Sequence, residues 1–319
     1  MSLTIIEPHE HFELIIALSP ALKKYPGQVH IVTSSAVRLR VEKALPAESR
    51  RWKWMTQEEL FRSKEPHICV FTSLQYDRKP WLKIIRRYPS ALLLHNLNLY
   101  LPRQPLNWVP QEKTSYSWKK YALKQMLQST VDHKLSRDIL RALKASFHYS
   151  PSFALASDPL PDCPHFTLPL FYMRDSPSGH FDLLPLYGKV AHVDWPYFHS
   201  IFWSNQVRVL CTEEEEKKLR TFLPDYAIYE HTPLSFVDFH QRFQEASRII
   251  VPLKTISFGI IYEELEYTKC LARIHLAIQY QKPLLIPPSI PEPPKPLSVE
   301  ALISEFTKLI AYLEDHKLD

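Results

Sequence analysis

The chain has 319 residues, too long for one ordinary core and suited to two domains of roughly 150 residues each. Hydrophobic residues make up 45% and charged residues 23%, the balance of a folded soluble protein. No apolar run approaches the ~18 residues that span a bilayer, so a transmembrane protein is excluded as an expectation.

The formal net charge of +5 is unevenly divided: residues 1–160 hold 24 Lys and Arg against 13 Asp and Glu, and residues 161–319 hold 15 against 21. A basic half joined to an acidic half predicts an anionic partner for the first half. The overall basicity is too mild for a nucleic-acid binder, and no nucleic acid is expected. The first twelve residues carry Glu7 and Glu10, with no basic region leading into an apolar one. No signal peptide is read, and a cytoplasmic protein is expected. Cys69, Cys163, Cys211 and Cys270 stand alone, without a Cys-x-x-Cys pair, which predicts reduced thiols rather than a zinc or disulfide framework. With 4 Gly and 28 Pro, the chain can build few tight phosphate-cradling turns.

In chain order, Leu3 to Ile6 reads as a strand. His11 to Lys24 follows at near-helical period, with Phe12, Ile15, Ile16, Leu18 and Leu22 on one face. Residues 28–33 form a second strand, and Ser34 or Ser35 caps the next helix. Residues 67–72 and 91–95 are strands flanking a helix that contains Trp81. Residues 113–144 read as a basic helical stretch, followed by strands at 145–149 and 166–168. Short apolar strands separated by helices imply a parallel sheet covered on both faces.

Seven prolines and one glycine between residues 151 and 185 mark a domain boundary. The alternation then resumes. An opening strand is placed at 186–193, and a short helix at 195–202. A strand at 207–211 is followed by a helix capped by Thr212. Further strands fall at 226–229 and 248–251, with a helix at 236–246 between them. A long helix is read from about Glu263 to Tyr280, and a last strand at 283–286. After a proline-rich bridge, a final amphipathic helix presents Leu302, Phe306, Leu309, Ile310 and Leu313 on one face. The expected architecture is α/β: two Rossmann-like doubly wound parallel-sheet domains facing a cleft, with a C-terminal crossing helix. The domains are 1–165, 166–296 and a helix at 297–319 that packs back on the first.

The chain contains no Gly-x-Gly-x-x-Gly, Walker loop, Gly-x-Ser-x-Gly or His-Glu-x-x-His, which removes the common nicotinamide, ATPase, serine-hydrolase and zinc-protease readings. Glu7-Pro8-His9-Glu10-His11 follows the first strand, and His95-Asn96-Leu97-Asn98 follows the fourth. In doubly wound folds that edge faces the ligand, so both are candidate acceptor or acid–base groups. Basic residues interleaved with aromatics, around Arg50–Trp54 and from Trp108 to Lys144, fit either a solvated face or an anionic membrane surface. Glu213–Glu216 complements a helix dipole. The segment 251–287 runs strand, loop with Phe258-Gly259, helix and strand; a helix start on such an edge binds phosphate through its free N–H groups.

Four stretches together resemble the GT-B glycosyltransferases, in particular the family-4-like members of bacterial surface-polysaccharide pathways. IIEPHEHFELI is similar to their first strand and acceptor loop, and LLLHNLNLYL to their strand followed by His-Asn. LYGKVAHVDWPYF is similar to the start of their nucleotide-binding domain, and FGIIYEELEYTKCLARIHLAIQYQKPLLIP to their donor loop, helix and closing strand. The resemblance implies transfer of a sugar from a nucleoside-diphosphate sugar to an acceptor hydroxyl, without a metal or a separate cofactor. It places Gly188 and Lys189 beside the diphosphate. Phe258, Gly259, Glu264, Thr268, Lys269 and Arg273 come near the sugar and phosphates. His9 and His95 fall on the acceptor side as the catalytic candidates. The implied partners are the nucleotide sugar and a glycan or lipid-linked acceptor, with the basic half against the inner face of a membrane. Leu271-Ala272 stand where the family opens its helix with Ser-Gly, a single Lys189 follows Gly188, and three further positions depart from the pattern. Leu276 stands where the family has a ribose-gripping acid, Gln281 where it has Gly, and Ile256 near the first of its paired acids. They keep a second reading open, a non-catalytic GT-B-like binding protein. A GT-B epimerase is a third, without a specific acid constellation to support it.

Overall fold

The structure is a computed structural model that describes residues 1–8, 11–74, 78–94, 134–148, 163–170, 172–174, 176–177, 179–187, 190–203, 206–231, 234–254, 256–258, 261–263, 272–290 and 297–316. Contacts divide the chain into two compact units. The first comprises residues 1–170, 257–263 and 300–319, and the second 171–256 and 264–299.

The first unit is built on strands β1 (Ser2–Glu7), β2 (Val29–Thr33), β3 (Lys53–Met55), β4 (His67–Phe71), β5 (Ser90–Leu93), β6 (Ala145–His148) and β7 (His165–Thr167). They pair in the order β3-β2-β1-β4-β5-β6-β7, and every pairing is parallel. Every residue of β4, β5 and β6 is buried. Burial on both faces explains why these strands are short apolar runs without alternation.

Helices α1 (Phe12–Lys24), α2 (Ser35–Ala44), α3 (Gln57–Arg62) and α4 (Arg78–Arg87) connect them, with α5 at residues 134–142. Local chemistry sets several starts. Ser34 accepts from Val37 N at the head of α2, and Thr56 with Glu59 forms a full capping box at the head of α3. In α1 the apolar stripe Leu14, Ile15, Leu18 and Leu22 is buried; each such side chain contributes about 1.5–3 kcal/mol.

The second unit holds β8 (Phe181–Pro185), β9 (Gln206–Cys211), β10 (Ile228–His231), β11 (Ala246–Ile250) and β14 (Leu284–Leu285). The order is β10-β9-β8-β11-β14, again all parallel. Its helices are α6 (Trp195–His199), α7 (Glu213–Leu219), α8 (Phe236–Glu245) and α9 (Ala272–Gln279). Strands β12 (Ile256–Phe258) and β13 (Ile261–Glu263) make a separate two-stranded sheet. The last helix, α10 (Val299–Asp315), buries Leu302, Phe306, Leu309, Ile310 and Leu313. It belongs to the first unit, where Tyr312 lies 5.7 Å from Phe166 of β7.

Three expectations are corrected. The opening strand of the second unit is Phe181–Pro185, not 186–193, because Asp182 is buried in a strand by pairing with Arg248 rather than exposed in a loop. Residues 186–193 instead contain a 3-10 turn at Val190–His192. The helix read from Glu263 does not begin there. Glu263 closes β13 and Phe258 closes β12, the β-branched Ile256 and Ile261 favouring extended backbone. Trp52, in a cluster open between a solvated face and a membrane surface, instead turns inward: it is 7% exposed and packs 6.3 Å from Trp54. Residues 113–133 of the basic stretch lie outside the described residues. No described helix is long and apolar enough to cross a membrane.

Candidate functional site

Each sheet has one topological switch point, where successive connections leave in opposite directions. In the first unit it lies between β1 and β4, in the second between β8 and β11. Open α/β sheets bind ligands at the carboxyl ends of the strands beside such a point.

In the first unit that edge is organised by Glu7, the last residue of β1. Its side chain is fully buried. Oε2 accepts from Thr72 Oγ1 at 2.7 Å and Oε1 from Ser73 Oγ at 2.8 Å. The Glu7 carbonyl accepts from Thr33 Oγ1 at 2.7 Å. One residue therefore ties together the exits of β1, β2 and β4. Hydrogen bonds of this kind contribute a net of about 0.5–1.5 kcal/mol each. Of the acidic and imidazole groups read here as one polar cluster, Glu7 turns inward and braces the edge. His11 opens α1 with Nδ1 3.0 Å from Glu13 Oε1. His9 and Glu10 lie outside the described residues, as do His95 and the residues that follow it.

In the second unit, the exits of β8 and β11 are laced together. Lys254 N donates to His192 O at 3.0 Å and Asp194 N to Pro252 O at 2.8 Å. Val193 and Leu253 form an antiparallel bridge. Asp194 then caps α6 by accepting from Tyr197 N at 3.2 Å. Thr212 and Glu215 form a capping box at the head of α7, and Glu215 Oε1 also meets Val190 N at 3.5 Å.

Arg273, at the start of α9, reaches the same edge and donates through Nη2 to Tyr187 O at 2.7 Å. Burial lowers its pKa to about 10, with Glu215 opposing the shift. It therefore stays cationic at neutral pH, a half-buried positive charge at the exit of β8. An anion of moderate size is the ligand that such a charge, beside a helix start, is equipped to hold.

Of the residues that the resemblance places in the site, Arg273 is the one whose side chain is described. Phe258 is placed by its backbone at the end of β12. Gly188, Lys189, Gly259, Glu264, Thr268 and Lys269 lie outside the described residues. Leu276 is 6% exposed and belongs to the apolar core of the second unit, so no side chain there reaches for a ribose. Gln281 has φ 53°, the left-handed conformation that favours Gly. Gln281 N donates to Ile278 O and Lys282 N to Ala277 O, both at 2.9 Å, a Schellman cap on α9.

The sequence reading missed the Asp182–Arg248 pair beneath this edge. Arg248 Nε and Nη2 meet Asp182 Oδ1 and Oδ2 at 2.7 and 2.6 Å, across adjacent strands. Its signal was an acid inside an apolar run, FDLLP, facing an Arg in another, ASRII.

No protein-family model and no curated protein matches the chain. Among solved structures, it is similar to a UDP-N-acetylglucosamine 2-epimerase at 12% identity and TM-score 0.45, over 78% of this chain and 73% of that one. It is similar to MurG of Acinetobacter baumannii at 10% identity and TM-score 0.43, over 99% and 95% of the two chains. It is also similar to CalG4, the calicheamicin glycosyltransferase, at 11% identity and TM-score 0.43, over 98% and 91%.

Proposed function

We propose that this chain is a glycosyltransferase of the GT-B class. It moves a sugar from a nucleoside-diphosphate sugar to an acceptor hydroxyl in polysaccharide or glycoconjugate synthesis. The observation that carries the reading is the duplicated architecture. One chain holds two all-parallel sheets, each with its switch point between the first and fourth strands of its own order. A cationic Arg273 stands at the switch-point edge of the second.

In this reading the second unit takes the nucleotide. Lys189, Lys269 and Arg273 offset the charge that grows on the departing diphosphate as the sugar's bond to it breaks. Gly188, Glu264 and Thr268 border the sugar and phosphates. The first unit takes the acceptor, a glycan or a lipid-linked sugar. His9 or His95 receives the proton of the attacking hydroxyl as the new glycosidic bond forms. Charge stabilisation by fixed cations leaves no task for a metal. The basic first half would rest on the inner, anionic face of a membrane.

The test is thermal unfolding with nucleoside diphosphates. Uridine or guanosine diphosphate should raise the midpoint, and Lys269→Ala should abolish the rise. No response to any nucleoside diphosphate at about millimolar concentration, where a Kd weaker than 1 mM corresponds to less than about 4 kcal/mol of binding, removes the reading. That outcome would leave the non-catalytic binding protein, to which the buried Leu276 lends support.

A further inference from the structure

The amino-terminal edge of the first sheet, opposite the switch-point exits, holds a separate cluster. In the parallel register Thr4 of β1 lies between His30 of β2 and Cys69 of β4. His67 stands two residues before Cys69 and so shares its face. His30, Thr4 and His67 therefore project together from one face of the sheet. Both imidazoles are fully buried, with ring centroids 5.3 Å apart.

Their hydrogen bonding differs sharply. His67 Nδ1 is 2.9 Å from Thr4 Oγ1 and its Nε2 is 2.9 Å from Ser63 Oγ. Among the described residues, His30 has no hydrogen-bond partner at Nδ1 or at Nε2. Burying an imidazole with neither nitrogen satisfied is costly, and such a group calls for a missing ligand. Glu65 supplies a third donor from the loop between α3 and β4. One ligand atom each from His30, Glu65 and His67 lies within 4.8 Å of the other two. The loop is fixed from below, since Glu65 N donates to the same Ser63 Oγ at 3.2 Å.

We propose that His30, Glu65 and His67 bind a divalent transition-metal ion of the zinc type at the amino-terminal edge of the first sheet. Two imidazoles and one carboxylate are a donor set for such ions, whereas magnesium and calcium take oxygen alone. Around a tetrahedral zinc the donor atoms stand about 3 Å apart, so the site closes by a modest turn of the exposed Glu65 side chain. Burial disfavours the protonated form of both rings, and with His30 beside it the His67 pKa is lowered to about 4.

One His67 nitrogen would turn from its hydroxyl to the ion. The other would keep Thr4 or Ser63 as the outer-shell partner that fixes the ring. Water would fill the fourth position on the exposed side. Two cations oppose the ion. Lys53 pairs beside His30 in the register and is exposed, free to turn outward. Arg87 is held away by its bonds to the carbonyls of Phe61 and Ser63. Because ligand chemistry belongs to the other edge, the ion would clasp the 63–66 loop to the feet of β2 and β4.

The experiment titrates the chelator-stripped full chain with Zn2+, following heat of binding and thermal unfolding, and with Co2+, following its visible absorption. One equivalent should bind and raise the unfolding midpoint. His30→Leu, which removes the orphaned ring, should fold and lose that equivalent. Glu65→Gln, at an exposed position, should weaken binding at least about tenfold, and one of Thr4→Val and Ser63→Ala, whichever removes the retained partner of His67, by about 10–100-fold. Lys53→Ala should tighten it. The exposed histidines serve as controls: His199→Asn and His316→Asn should leave the stoichiometry unchanged. The site is refuted if the wild-type chain binds no Zn2+, or if His30→Leu and Glu65→Gln bind it as the wild type does. Either result leaves the nucleotide-binding test untouched.

Discussion

Lowering the pH from about 7.5 to about 5 tests how the two units hold His148 and His240. Burial lowers both pKa values from 6.5 to about 4, helped by His165 at His148 and by Arg174 at His240. His148 is 3% exposed in β6 and its Nε2 lies 3.3 Å from Thr167 Oγ1. His240 sits on α8 with Nδ1 2.5 Å from Tyr280 Oη. In the unfolded chain both rings take up a proton first as the pH falls. The stability they hold is complete above about 6.5 and is lost progressively toward 4. At pH 5 a shift of this size costs about 2 kcal/mol per ring, about 4 kcal/mol together. That is a large share of the total stability of a domain. Urea unfolding followed by circular dichroism at several pH values would read it, with separate fits for two transitions because His148 and His240 lie in different units and His67 adds its own share in the first. His148→Asn should reduce but not abolish the pH dependence of the first unit, where His67 is also held neutral, and His240→Asn should flatten that of the second. Equal stability at pH 7.5 and pH 5 would show that these rings are not held neutral.

Three further perturbations follow from the second unit. Gly179→Ala would set a Cβ 1.9 Å from the Ala246 carbonyl carbon, so it should cost at least about 2 kcal/mol in urea unfolding. Gln281→Gly should stabilise by about 0.5–1 kcal/mol, because it relieves φ 53° at some cost in chain entropy; a loss of stability would mean the Schellman cap is not strained. Arg248→Met leaves the fully buried Asp182 carboxylate without its bidentate partner and should cost about 3–5 kcal/mol. Adding Asp182→Leu should restore most of that loss, and an unchanged midpoint for Arg248→Met alone would sink the account.

Most strands were legible because a strand covered on both faces leaves a short apolar run, as in ICVF of β4 and LL of β5. Caps were legible too. Thr212 starts α7 as expected, since a hydroxyl before four glutamates has one good use. What failed was local in each case but decided at a distance. β8 hid behind Asp182, whose burial depends on an Arg 66 residues away. The helix read from about Glu263 is present at Ala272–Gln279, but its expected first residue closes β13, which pairs with β12. At the candidate site, the edges of the sheets were foreseeable from strand order, and Arg273 reaches one of them. The inward turn of Glu7 was not, because it needs Thr72 and Ser73 brought alongside by the parallel pairing of β1 and β4. His30 and His67 carried no spacing signal, as register alone makes them neighbours.

The placement of α10 in the first unit has a temporal consequence. A ribosome that has finished the seven strands of that unit must still synthesise about 130 residues before the covering helix emerges. At ordinary elongation rates that delay is on the order of 10 s, long compared with collapse of the second unit. During this interval the surface that will receive Leu302, Phe306, Leu309, Ile310 and Leu313 stays open to water. The earlier-made half of the chain is thus the later to be completed. It is the half that would meet chaperones, and the half that a lesion in the last helix would leave unfinished.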